Sequence, residues 1–257
     1  MPKTIVLNQA TLHPKYENVD YISYTTWGAT KNPDVRVIHY YGKYDSNLEI
    51  TDRFPTLPKD GEVIMVNDNV MVIGTYDTSY PQSHPRFPII HDSRNEKFIL
   101  ALEYCLNNFE FDYLQRICNT SYLDIEKMQS FFNTLPKTHI YNGARNLYNY
   151  KIPFVAGFNV FMSYDVVKLL VEYKSEYLAS SHPEDLAAGK IIIYDTNYTS
   201  FDTQSTADTH FFVTIETPST IKISPSPSTY CYRIQHNIDI FNSLHKQILR
   251  RDLKNGK

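Results

Sequence analysis

Apolar runs of strand length recur along the chain, as "KTIVL", "VDYISYT", "VRVIHYYG", "EVIMVN", "VMVIGTY", "DYLQRI", "KIIIYD", "FFVTIE" and "TYCYRI", with segments of helical period between them. Strands alternating with helices specify an α/β fold, because a sheet needs helices on its faces to bury such runs. The segment from about Asn95 to Asn107 puts Phe98, Leu102 and Cys105 on one stripe with Leu106 beside it. Ser93, three residues before Glu96, gives that helix a capping-box start. Further helices are expected from Asp124 to Phe132, from Ser163 to Tyr173, and at the C-terminus through Phe241, Leu244, Ile248 and Leu249. A chain of 257 residues is expected to fold as a single domain, 1–257.

The bulk properties narrow the function. A formal net charge of -3 supplies no overall field towards nucleic acid or an anionic membrane, so phosphate contacts must be local. Cys105, Cys118 and Cys231 are an odd number at wide spacing in apolar stretches, which suits buried thiols in a reducing cytoplasm. The longest apolar stretch, around "PFVAGFNVFM", falls short of a transmembrane segment. No HExxH, Walker-type or GxGxxG pattern is present, and no nucleophile signature. Two polar stretches, "YDTSYPQSHPRFPIIHDS" and "YDTNYTSFDTQSTADTH", read as long surface loops.

The stretch "SSHPEDLAAGK" sets Glu184 and Asp185 side by side ahead of an apparent buried strand of Ile191, Ile192 and Ile193. Ser181-x-x-Glu184 is a capping box, which accounts for Glu184. Asp185 is not needed for that pair, although a first-turn carboxylate gains roughly 0.3–1 kcal/mol from the helix dipole. The residues alone leave helix start and chemistry both open.

The order "DYLQRICNTSYLDI", "HIYNG", "IPFVAGFNVFMSYDVVKLLVEY", "HPEDLAAGKII" resembles the central run of fringe-like and β-1,3-galactosyltransferase-like enzymes of the GT-A glycosyltransferase fold, over roughly residues 90–195. The resemblance implies a mixed, mostly parallel sheet flanked by helices. About 1–120 would bind a nucleotide-sugar donor and about 121–257 a glycan acceptor. The donor it implies is UDP-galactose, UDP-N-acetylglucosamine or UDP-xylose, and the enzyme is expected to be of soluble bacterial or large-DNA-virus type. By position Asp185 is the general base of an inverting transfer and Glu184 its supporting neighbour. The resemblance implies that Gly157, Phe158 and Asn159 of "AGFNVFMS" face the substrate. Trp27 of "YTTWG", with Tyr40 and Tyr41 of "VIHYYG", is expected to stack on the base.

The chain departs from the family at the end of the "DYLQRI" strand. An acidic metal-binding triplet is expected there, and Cys118, Asn119, Thr120 and Ser121 stand in its place. Hard divalent cations such as Mn²⁺ or Mg²⁺ prefer anionic oxygens. Either no metal takes part or residues such as Asp124 or His236 hold it. Without a metal, Arg94, Lys97, Arg116 and Arg233 are the candidates to meet the donor's pyrophosphate, Lys97 first. Three other readings remain: a silent carbohydrate-binding relative, a retaining transferase, and an interaction domain using its aromatic surface.

Overall fold

The computed structural model describes residues 3–11, 13–43, 50, 54–76, 82–84, 87–91, 93–146, 154–195, 212–214, 229–234 and 236–254. In chain order the strands and helices are β1 (Thr4–Gln9), α1 (Glu17–Thr25), β2 (Val35–Gly42), β3 (Val63–Asn67), β4 (Val70–Ile73), β5 (Gln82–His84), β6 (Phe87–His91), α2 (Ser93–Asn108), β7 (Tyr113–Cys118), β8 (Ser121–Leu123) and α3 (Ile125–Phe132). There follow β9 (Tyr141–Asn146), β10 (Phe154–Ser163), α4 (Tyr164–Glu172), α5 (Lys174–Ala179), α6 (Glu184–Lys190), β11 (Phe212–Thr214), β12 (Cys231–Arg233) and α7 (Ile238–Lys254).

The fold is α/β around a seven-stranded mixed sheet in the order β3-β4-β2-β1-β7-β10-β9. Strands β4, β2, β1 and β7 are parallel neighbours, and β3 and β10 run against them. The remaining edge strand β9 is antiparallel to β10 and so regains the common direction. A second, three-stranded sheet of order β11-β12-β8 lies beside the end of β7.

Strand β1 shows why both faces must be covered. Ile5 and Leu7 belong to one core with Phe98, Leu102, Val167, Leu170 and Ala187 from α2, α4 and α6. Val6 belongs to the opposite core with Val19, Met128, Phe132, Phe241 and Leu244 from α1, α3 and α7. Consecutive side chains point to opposite faces, so a strand buried on both reads as an unbroken apolar run.

Two of the expected strands are helical. "VDYISYT" lies in α1, where Val19, Ile22 and Ser23 are buried and Tyr21 is exposed. Its β-branched and aromatic content suggests a strand, yet the buried spacing is helical and the tertiary context prevails. Within it Asp20 is buried and accepts hydrogen bonds from the Tyr41 hydroxyl at 3.1 and 3.0 Å. Ile191–Asp195 continues α6 as a π-helical turn, since three consecutive isoleucines, two of them buried and Ile193 partly so, fit an enclosed helix end as well as a strand.

The expected capping box of α6 is absent. Pro183 stands at the N-cap of α6 with no side-chain cap, and Ser181 is exposed. At the start of α2 the Glu96 carboxylate accepts from the Thr75 hydroxyl. Asp124, by contrast, caps α3 by accepting from the Lys127 N–H at 3.3 Å. The stretch at 77–92 contains the β5–β6 pair, while 196–210 lies outside the described residues.

Candidate functional site

Chain order turns back on itself at β1. The chain lays β2 and β4 on one side of β1 and then returns to lay β7 on the other. In open α/β sheets ligands bind beyond the carboxyl ends of the strands at such a reversal. A cleft of about 860 Å³ opens there, lined by Gln9, Ala10 and Thr11 after β1 and by Cys118, Asn119 and Thr120 after β7. Twelve residues named from the sequence share its lining: Arg94, Lys97, Arg116, Cys118, Asn119, Thr120, Gly157, Phe158, Glu184, Asp185, Arg233 and His236. The structure adds His13, Lys15 and Tyr16 from the segment before α1.

Other expected residues lie elsewhere. Trp27 is buried in the core and stacks on His39, with ring centroids 5.9 Å apart. Tyr40 and Tyr41 are fully buried in β2. Asn159 is buried behind the cleft, where its amide oxygen accepts from Gln115 Nε2 at 2.8 Å. Three of them find a partner in the interior: Trp27 stacks on His39, Tyr41 donates to Asp20 and Asn159 accepts from Gln115. Tyr16 and Phe158 bring aromatic rings to the cleft, Tyr16 with its ring 4.9 Å from that of His236.

The centre of the site is a buried ion pair. Arg116 on β7 sends Nη2 to the Glu184 carboxylate at 2.8 and 2.9 Å, and also to Gln9 Oε1. Both partners are more than nine-tenths buried. Burial pushes the Glu184 carboxyl above its ordinary range, while Arg116 pulls it back down. Glu184 thus ties the start of α6 to the middle of the sheet, and Arg116 is committed to it before any ligand arrives.

Asp185 follows on the same turn but opens onto the cleft. Its Oδ2 accepts from the Gly157 N–H at 3.2 Å and its Oδ1 from the Leu186 N–H at 3.0 Å. A carboxylate offers about four lone-pair sites, so these bonds fix its orientation and leave capacity for a ligand hydroxyl. Gly157 is needed for close approach: a Cβ there would collide with the Arg116 guanidinium. The one residue thus packs on Arg116 and holds Asp185.

Five cationic side chains, Lys15, Arg94, Lys97, Arg116 and Arg233, line the cleft against two carboxylates, Glu184 and Asp185. Lys97 is fully buried, with Nζ 3.3 Å from the Ala10 carbonyl oxygen and 5.3 Å from the centroid of the Tyr40 ring. Arg94 precedes it by three residues on α2, so the two share a face. Arg233 lies over the Phe158 ring at 4.5 Å. Burial and Lys15 lower the pKa of His236, which keeps it neutral near pH 7. The cleft therefore favours an anionic ligand with a flat ring.

The end of β7 does not fit a hard divalent cation. Cys118 Sγ lies 3.0 Å from Thr120 Oγ1 and 3.5 Å from Ser121 Oγ, and Asn119 presents an amide. Cys118 is only part-buried here, unlike Cys105 and Cys231. Among the described residues no group of three or more His, Cys, Asp or Glu could hold a metal ion. Asp124 is engaged by Arg251 at 2.5 and 3.1 Å, outside the cleft lining. Among the described residues no helix is long and apolar enough to cross a membrane.

A scan against protein-family models gives no match, and a search of curated proteins gives none either.

Proposed function

We propose that the chain is a GT-A-like inverting glycosyltransferase that moves a sugar from a UDP-sugar to a saccharide hydroxyl, with Asp185 as general base. The observation that carries this reading is the Asp185 carboxylate, oriented by two backbone N–H groups and facing a cation-rich cleft at the strand reversal. An acceptor hydroxyl has a pKa far above neutrality, so it needs a base as it attacks the anomeric carbon. Asp185 takes that proton while the new glycosidic bond forms and the bond from the sugar to the diphosphate breaks. Attack from the face opposite the leaving group inverts the anomeric centre. The departing charge is met by Lys97 and Arg94, and the burial of Lys97 excludes solvent and so strengthens its interaction. Tyr16 and His236 are the ring partners for the uracil. No step passes through a metal, because the donors at the end of β7 do not suit one.

The test is transfer from a panel of UDP-sugars by wild type and Asp185→Asn. The variant should bind UDP as before and lose turnover by about 10²–10⁴-fold. Undiminished turnover removes Asp185 from the mechanism, and the anomeric configuration of the product separates inversion from retention. The thiol, amide and hydroxyl at residues 118–120 also favour a second reading, a sugar-nucleotide-binding relative without turnover. UDP binding with no product from any donor identifies that case.

A further inference from the structure

We propose that Arg233 and Phe158 form a carboxylate-binding subsite, so that the saccharide accepted beside Asp185 is an acidic one, of uronic-acid type. The proposal rests on the reading of Asp185 as the base, and it names the class of second substrate.

Three observations carry it. First, Arg233 has no ion-pair partner among the described residues, although it lines the cleft, and its Nε is buried without a hydrogen-bond partner. A buried donor left unpaired costs about 1–3 kcal/mol, and more on a charged group. A ligand that takes the bond recovers that loss. Second, the guanidinium lies over the Phe158 ring at 4.5 Å. Stacking fixes the plane of the fork, and a fixed planar fork matches the two oxygens of a carboxylate better than a lysine does.

Third, Arg233 stands apart from the cations assigned to the diphosphate. Lys97 is anchored at the end of β1 over the Tyr40 ring of β2. Arg233 sits over β10, at the residue that follows Gly157, whose N–H orients Asp185. In the sheet β7 lies between β1, where Lys97 is anchored, and β10. Its own strand β12 is fixed by the Arg233–Ser121 register to β8 and by the Ile234 N–H to the Thr120 carbonyl at 3.0 Å. The fork is therefore held over β10, one residue along from the Gly157 N–H that orients Asp185, and both side chains line the same cleft.

The probes are methyl β-D-glucuronide and methyl α-D-galacturonide, each against its neutral glycoside, titrated by calorimetry into the full chain in the presence of UDP. At least one uronide should bind about ten-fold or more tightly than its neutral twin, as a charge-assisted bidentate pair provides. Arg233→Met, which keeps an apolar contact to Phe158, should abolish that preference and leave UDP affinity unchanged; Arg233→Lys should restore it in part. Equal affinity for each pair, including no detectable binding of any glycoside, overturns the proposal. So does a fall in UDP affinity in Arg233→Met as large as the loss of the uronide, because the anion would then be the donor's phosphate. A uronide preference that depends on Arg233 in a chain that fails to bind UDP supports the subsite and refutes the glycosyltransferase reading.

Discussion

Removing Arg116 should leave the protein with a pH-dependent defect. Arg116→Met deletes the cation that faces Glu184 at 2.8 Å while that carboxylate stays walled in by α6 and the sheet. Breaking one side of a buried pair costs about 3–5 kcal/mol, because the remaining charge has no compensation. At about 2 °C per kcal/mol for a chain of this size, the melting temperature falls by about 6–10 °C at neutral pH. Glu184 has an escape, which is to take up a proton. Burial already raises its pKa, and without Arg116 nothing of comparable strength opposes that shift. A carboxyl whose folded pKa lies above its unfolded value binds more protons folded than unfolded, so stability is lost as pH rises through the raised value. The deficit should be small at pH 4, within the ordinary carboxylate range, and fully developed by pH 8. Thermal unfolding followed by circular dichroism across that span measures it. In Arg116→Met/Glu184→Leu no buried charge remains, and most of the lost stability should return. A deficit that is constant with pH, or a double variant no more stable than the single one, refutes the reasoning.

Four other outcomes follow from the same geometry. Gly157→Ala should cost about 1–3 kcal/mol in urea unfolding, as overpacking does, because the new methyl meets the Arg116 guanidinium; it should also lower turnover by displacing the N–H that orients Asp185. Lys97→Met should weaken UDP binding about ten-fold or more by calorimetry, the loss of one charge-assisted contact. Tyr16→Ala should weaken UDP by about 1–3 kcal/mol, the usual worth of a base–aromatic stack, and leave inorganic pyrophosphate binding unaltered. UDP affinity should be the same in EDTA as in Mn²⁺, since the end of β7 offers a thiol, an amide and hydroxyls.

Local patterns carried much of the fold. The apolar stripes of α2, α3 and α4 mark helices that the structure places within two residues of the expected ends. Where two periods fit the same letters, the sequence misleads: "VDYISYT" and the three isoleucines after α6 satisfy a strand and an enclosed helix alike. The cleft is a different matter, since its parts are remote in sequence. Arg116 and Glu184 are 68 residues apart and meet only because β7 lies beside β10 under α6. Strand order sets that meeting, and no local pattern encodes strand order. The place of Asp185 in the cleft lining is signalled by the succession of segments around it. "LHPKYE" has no such succession, so His13, Lys15 and Tyr16 escaped notice. A Pro at the first turn ahead of a helix was the available signal, and it speaks of backbone conformation alone. Trp27 misled in the other direction, as an aromatic ring beside a glycine that the interior claims.

The two walls of the cleft differ in how firmly they are built in. Arg116, Glu184 and Gly157 are wedged between β7, β10 and α6, so altering any of them disturbs the framework. His13 and Lys15 project from a short turn and are exposed to solvent. On the proposed reading, replacing that turn with others of the same length offers a route to redirect nucleotide preference while Asp185 keeps its post.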